Sequence, residues 1–388
     1  MQNYMLLSKD IPIANIIDGT LEPILPGRLP LFLQRTGDVD AWLASRAVNS
    51  ERTNVRLLKR ALRLEKKDDI STVLSVNAAK ITDNYWVKPL DDKETKYADI
   101  RFTANPFADL ALTGDVNSFA QPPSRTPELT NSDIFSSERC WKLQDGAWWM
   151  IKACYDVSLF GDMFTCNLGK ALGFPMADYQ PYGRFIQYRD FTDQGSVDYE
   201  SAAAIIAHEL EISWGCEWER DDINYVVIYE FLKQFGKNVC DDYVKKCYLD
   251  ALVLNEYQYD FGLLRDSDTG EVLRFAPNYS HDCMVVGNYV YHGNSGGIYD
   301  ASLENFNALL QHIGEPFSVP KLPRQVIQKC MNNIPWELPL DKCSPGVMEM
   351  EPKRFVTEHL VKRQAQLEEQ NRGLLILKPP IRAREQAR

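Results

Sequence analysis

The chain has no CxxC pair among its nine cysteines, no apolar run approaching the ~20 residues of a membrane span, and no excess of basic charge. Each absence excludes something. Nine is odd, whereas a secreted disulfide framework normally uses an even count, so these read as reduced thiols, mostly in the core. Five histidines (His208, His281, His292, His312, His359) show no metal-ligand spacing with the cysteines, which argues against zinc. A net charge of −11 argues against a protein that coats nucleic acid, because binding phosphate needs excess Lys and Arg. The start, MQNYMLLSKD, carries Lys9 and Asp10 where a signal peptide would need an apolar core, so a cytoplasmic, membrane-free protein is expected. The glycines of HGNSGGIY (292–299) lack a strand–turn–helix context and read as an ordinary loop.

What is present is a globular composition, with 45% apolar and 25% charged residues over 388 positions, enough for two or three units. Residues 1–105 open strand-like (YMLLSKDIPIANIID) and continue in a helical stretch from Asp38 to Leu64 with a break near Asn49-Ser50. Arg46 to Lys67 holds eight basic residues against two acidic ones. That segment fits a DNA- or phosphate-contacting surface or, more simply, a solvated helix face. Residues 115–133 are rich in Pro, Ser, Thr and Asn and read as a linker or crossing. RCWKLQDGAWWMIKACY (139–155) reads as a β-hairpin turning at Asp145-Gly146, followed by a helix at 161–174, a strand at 184–191 and a helix-rich stretch to Leu254. The tail holds one charged amphipathic helix, FVTEHLVKRQAQLEEQNR, and a basic end.

That order resembles a protein kinase, and its wording resembles the HipA-like serine/threonine kinases, in a firmicute-type branch suggested by DNYWVKPL at 83–90. Met150-Ile151-Lys152 matches the family's lysine strand. Gly161-Asp162, Leu172-Gly173 and Tyr179 follow in register. Asn255, Phe261-Gly262, Leu264-Arg265-Asp266, Thr269-Gly270 and Ala276-Pro277 match the catalytic loop and the hairpin after it. The resemblance implies an α+β, bilobal kinase-like fold with an N-terminal accessory region. Its divisions are 1–105 (accessory), 106–190 (N-lobe), 191–345 (helical C-lobe) and 346–388 (helix and tail). It also implies ATP and magnesium as cofactors and a protein substrate or regulatory partner.

Phosphoryl transfer needs a lysine on the phosphates, an acid holding it, a metal held by Asp and Asn, and a carboxylate orienting the attacking hydroxyl. By the resemblance, Lys152 takes the first role and Asp162, in place of a glutamate, the second. Thr130 and Ser132 stand where a glycine-containing turn would cover the phosphates. The catalytic loop is shorter by two residues and lacks the Asp-Arg-His triplet. The base position falls on Asn255, which cannot accept a proton as a carboxylate does, and Glu256 is the only nearby acid. The spelling Asp260-Phe261-Gly262 is not the metal-binding triplet of kinases, because it precedes the hairpin. Asp260 replaces an asparagine there, and Ser280 stands at the later metal position with Asp282 two residues on. Asp260 and Asp282 are the candidate magnesium ligands. Three readings stay open: a pseudokinase or weakly active Ser/Thr kinase binding ATP between its lobes; an active ATP/Mg-dependent kinase of toxin–antitoxin type; and a DNA- or protein-binding module working through residues 1–105.

Overall fold

The computed structural model describes residues 3–117, 125–132, 137–153, 158–211, 224–255, 261–279, 301–334 and 352–380. The first sheet has the order β3-β2-β1-β4, from β1 (Tyr4–Ser8), β2 (Ile11–Ile17), β3 (Thr20–Pro23) and β4 (Tyr85–Pro89). Asp18-Gly19 turns β2 into β3 with both residues at positive φ (49° and 81°). The second sheet has the order β5-β6-β8-β7, from β5 (Arg139–Gln144), β6 (Ala147–Ala153), β7 (Tyr179–Tyr182) and β8 (Phe185–Arg189). Its hairpin closes at Asp145-Gly146, again with both φ values positive (50° and 76°). Only turns of that hand match the twist of the flanking strands, and Asp-Gly accepts them at little steric cost. The hairpin is where the sequence pattern puts it. On one face of β6, Ile151 packs with Cys140, Ala108, Ala111 and Leu112.

The third sheet joins distant segments in the order β11-β10-β9, from β9 (Val197–Ser201), β10 (Gly262–Asp266) and β11 (Val272–Phe275). A parallel pair, β12 (Phe317–Pro320) and β13 (Leu375–Lys378), completes the strands among the described residues.

The chain divides into two compact units. One holds Met1–Ala153, Pro181–Trp218 and Phe261–Ala276; the other holds Cys154–Gln180, Glu219–Asp260 and Pro277–Arg388. Within the first unit, residues 1–105 share hydrogen bonds with the hairpin and with β9–β11. In the second unit, helix Lys237–Val253 is buried over most of its length, and Tyr248 meets the rings of Phe174, Phe306 and Phe317 edge-on. Helix Pro352–Gln370 is the expected amphipathic tail helix, and its Arg363 Nε donates to the Ala251 carbonyl at 2.7 Å.

The helical stretch expected from Asp38 to Leu64 breaks across Asn49-Ser50, as expected, into α2 (Val39–Ser45) and α3 (Val55–Ala61), preceded by α1 (Leu31–Thr36). Two of the eight cations read there as surface charge face inward instead. Arg46 binds Asp83 through two hydrogen bonds (2.9 and 2.8 Å), and Arg52 Nη2 donates to Glu128 at 2.7 Å. Glu128 is wholly buried and also accepts from Asn105, Asn131 and the Trp141 amide. Buried charges need partners of this kind.

A second buried network surrounds Arg265 on β10, which has no exposed surface. Its guanidinium donates to the Leu29 and Gly270 carbonyls (both 2.8 Å), the Gly27 carbonyl (3.1 Å), the Tyr85 hydroxyl (3.0 Å) and Glu200. Glu200 in turn accepts from the Leu31 amide at 2.6 Å. Beside it, Asp198 accepts from the backbone and side-chain nitrogens of Asn84 (2.9 and 2.6 Å), while its other oxygen has no partner. Burial pushes the Asp198 carboxyl up to about 7, and the nearby Asp83 and Glu200 charges add to the effect. The folded value lies above the unfolded one of about 3.9, so the folded chain binds the extra proton and stability falls as pH rises from about 4 through 7. Asp198→Asn is therefore expected to match wild type near pH 4 and to exceed it by about 1–3 kcal/mol at pH 8. Urea unfolding at both pH values measures this, and a uniform loss across the range would contradict it.

Candidate functional site

In the first unit, Lys152 lies on the interior strand β6, in register with Arg139 of β5 and Ile186 of β8, and is half-buried. Alternation along the strand puts Lys152, Met150 and Trp148 on one face, opposite the Ile151 face that packs on Ala108–Thr113. Met150 and Trp148 are buried, so the lysine is the polar end of an apolar row. Trp148 also borders a cavity of about 190 Å³ with Ala147, Arg189, Asp190, Phe191 and Asp193. Asp190 there is buried, with both carboxylate oxygens accepting from the Thr192 hydroxyl (2.9 and 2.7 Å) and one also from the Thr192 amide (3.1 Å). Burial raises its carboxyl, and the Thr192 bonds partly oppose the rise. The sequence reading did not find Trp148 or Asp190. The signal for Asp190 was an acid directly after the strand RFIQYR.

Thr130 and Ser132 belong to this same unit. Thr130 is buried, and its single hydroxyl hydrogen points to the carbonyls of Ala79 (2.6 Å) and Pro127 (3.3 Å). That hydroxyl has no hydrogen left for a phosphate. Ser132 Oγ accepts from the Lys80 ammonium and keeps its own hydrogen to donate.

The second unit holds Asp162 and Asn255, both buried. Asp162 is on helix Ser158–Ala171. Helix Lys237–Val253 ends at Leu254 in the left-handed region (φ 60°), and Asn255 follows. The Asn255 amide and side-chain nitrogens donate to the Asp250 carbonyl and to Asp250 Oδ1, both at 2.9 Å. Asp250 Oδ2 takes the ammonium of Lys246, one turn earlier, with side-chain exposures of 0% and 2%. Asn255 is thus part of a buried polar triad that ends the helix. Lys246 and Asp250 went unnoticed in the sequence, although two opposite charges four apart in KCYLDALV, an otherwise apolar run, were a readable signal. Glu256, Asp260 and Asp282 lie outside the described residues, as does HGNSGGIY. Among the described residues no group of three or more His, Cys, Asp or Glu could hold a metal ion, and no helix is long and apolar enough to cross a membrane.

Placing a carboxylate at position 255 would set it against Asp250, with both side chains fully buried. Asn255→Asp is expected to lose about 2–4 kcal/mol of stability at pH 7 and less at pH 5, and to gain no phosphotransfer. Chemical denaturation at both pH values measures the stability change, and a neutral effect at pH 7 would contradict the buried-triad reading.

No family model matches the sequence, and no curated protein matches it. Solved structures do. The HipA toxin of Shewanella oneidensis MR-1, solved with HipB and operator DNA, superposes with a TM-score of 0.55 at 12% identity, covering 94% of this chain and 97% of that one. The Helicobacter pylori proinflammatory kinase CtkA matches at 0.41 and 14%, covering 60% of this chain and 92% of its own. The extent of the HipA match, together with the lysine strand and the β9–β11 sheet, gives this chain a HipA-like kinase fold, α+β in class.

Proposed function

We propose that this HipA-like kinase-fold protein binds ATP with magnesium and has impaired or absent phosphotransfer, acting as a pseudokinase or a weakly active Ser/Thr kinase. The observation that carries the reading is Asn255: the position that should orient a hydroxyl holds an amide, buried and bound to Asp250. Transfer depends on positioned charge, and an amide cannot take the proton. The residues fit ATP in part. Lys152, half-buried at the end of an apolar row, suits a phosphate, and Ser132 retains a hydroxyl hydrogen for one. Thr130 does not fit, its hydroxyl being committed to Ala79. Asp162 would be the acid that steadies Lys152. Magnesium, where bound, neutralises developing charge on the phosphates; Asp260 and Asp282 are its proposed ligands, and Glu256 the one acid left to stand in as base. Membership of the firmicute-type branch, and a place in a toxin–antitoxin pair, rest on the same resemblance.

Calorimetry with Mg-ATP tests this. Wild type is expected to bind, Lys152→Ala to bind at least about tenfold more weakly (~1.4 kcal/mol), and neither to transfer the γ-phosphate. Lys152-dependent transfer would overturn the impaired-enzyme reading, and no binding by wild type would overturn the ATP reading.

A second reading is contact with DNA through residues 46–67. With Arg46 and Arg52 in the core, five exposed cations remain: Arg56, Arg60, Arg63, Lys66 and Lys67. The HipA neighbour was solved with operator DNA. If this surface binds, replacing Arg56, Arg60 and Arg63 by Ala should weaken a low-salt gel shift and flatten its salt dependence by about one unit of slope for each phosphate no longer neutralised. No shift by wild type at low salt would rule the surface out.

A further inference from the structure

Where β6 begins and β8 ends, the first unit encloses the cavity of about 190 Å³. Among the described residues, its wall joins two rings, Trp148 and Phe191, to one guanidinium, Arg189, and two carboxylates, Asp190 and Asp193. The backbone and the neighbouring rings fix these groups. The Asp190 amide donates to the Trp148 carbonyl at 2.8 Å, which ties the start of one strand to the end of the other. Phe191 lies nearly parallel to Tyr188 (ring centroids 6.3 Å apart, 13° between planes) and edge-on to Tyr199 (5.7 Å, 72°). Trp148 and Asp190 are buried, whereas Arg189 and Asp193 are exposed and stand at the rim. A second space of about 20 Å³, walled by Lys80, Tyr97 and Arg101, adjoins it across Trp148 and Asp190. That one holds about a single water, so a ligand belongs to the larger.

The three charges of the larger wall act on one another. Burial is the main reason the Asp190 carboxyl is raised; the Thr192 bonds oppose it, Arg189 also lowers it, and Asp193 also raises it. Asp190 Oδ1 takes the Thr192 amide and hydroxyl, while Oδ2 takes the hydroxyl and keeps a lone pair for a further donor. An anion entering here would meet two carboxylates, and a simple cation would meet the guanidinium. A wall of both signs suits a molecule of both signs, and the rings suit an apolar body. The volume is under the roughly 300–1,000 Å³ of pockets that take drug-sized molecules, so that body is small.

We propose that this cavity binds a free α-amino acid with an aromatic side chain, its carboxylate on Arg189, its ammonium between Asp190 and Asp193, and its ring against Trp148 and Phe191. A guanidinium matches a carboxylate through two parallel hydrogen bonds, and an ammonium has three donors to share between two acids. Lys152 stands four residues further along β6, about 13 Å at strand spacing, and the proposal does not depend on ATP binding.

Calorimetry on the full chain tests this with three probes of one shape: L-phenylalanine, phenethylamine, which lacks the carboxylate, and 3-phenylpropionate, which lacks the ammonium. Wild type is expected to bind phenylalanine and to bind each of the others at least about tenfold more weakly. Arg189→Gln and Asp193→Asn change exposed side chains, and unaltered thermal unfolding checks that both variants fold. In Arg189→Gln the preference for phenylalanine over phenethylamine should disappear. In Asp193→Asn the preference over 3-phenylpropionate should shrink severalfold. Four results would each overturn the proposal. They are no binding of phenylalanine at about 10 mM, phenethylamine binding as tightly as phenylalanine, equal effects of the two variants on all three probes, and displacement of phenylalanine by Mg-ATP, which would make the cavity part of a nucleotide site.

Discussion

A guanidinium with no access to water must find an acceptor for each donor, and the first unit is arranged around meeting that demand for Arg265. Its partners come from residues 27–29, from Tyr85, from Glu200 and from Gly270. These points are up to 238 residues apart in the chain. No local preference brings them together; the unpaired charge would cost several kcal/mol, so only a fold that gathers all of them is stable. The demand also fixes small details. A Cβ on Gly270 would stand 2.2 Å from the Gly27 carbonyl and 2.9 Å from the guanidinium, so the turn after β10 takes glycine, at φ 78°. Gly262, at the start of the same strand, faces the Tyr199 ring and the Glu200 carbonyl so closely that a methyl group would meet both within 2.6 Å.

This sorts the resemblance to HipA-like kinases into two groups. The matching residues after the loop are those the architecture requires. Phe261 stacks on Phe275, Gly262 allows the strands to close, Arg265 anchors the network, and Asp266 accepts the amides of Asp268 and Thr269 to set the turn that Gly270 completes. The backbone hydrogen bonds of that turn hold the Asp266 carboxyl below its ordinary value. The residues missing from the pattern are the ones chemistry would require: the base, the asparagine and the later metal acid.

The sequence made the local features legible. Asp145-Gly146 between aromatic strands can form few things besides a hairpin, and the lysine on its second strand followed from that. Long-range features were not legible. Arg46 and Arg52 look like the six cations after them, and nothing in a one-dimensional pattern tells a buried arginine from a solvated one when its partner, Asp83 or Glu128, lies 37 or 76 positions away. For the same reason nothing in the pattern announces that β9 and β10 pair across more than sixty residues. Thr130 was read from its place beside the hairpin. Its burial depends on the Ala79 carbonyl, which the sequence does not put next to it.

The second unit ties the residue at position 255 to its neighbours. Asp250 is the acid nearest to Asn255 in the described chain, and both of its oxygens already hold a donor, one the Asn255 amide and the other the Lys246 ammonium. Freeing it would leave Lys246 buried and charged without a partner, which costs more than a recovered carboxylate returns. The triad itself closes the helix at Leu254, whose backbone is left-handed.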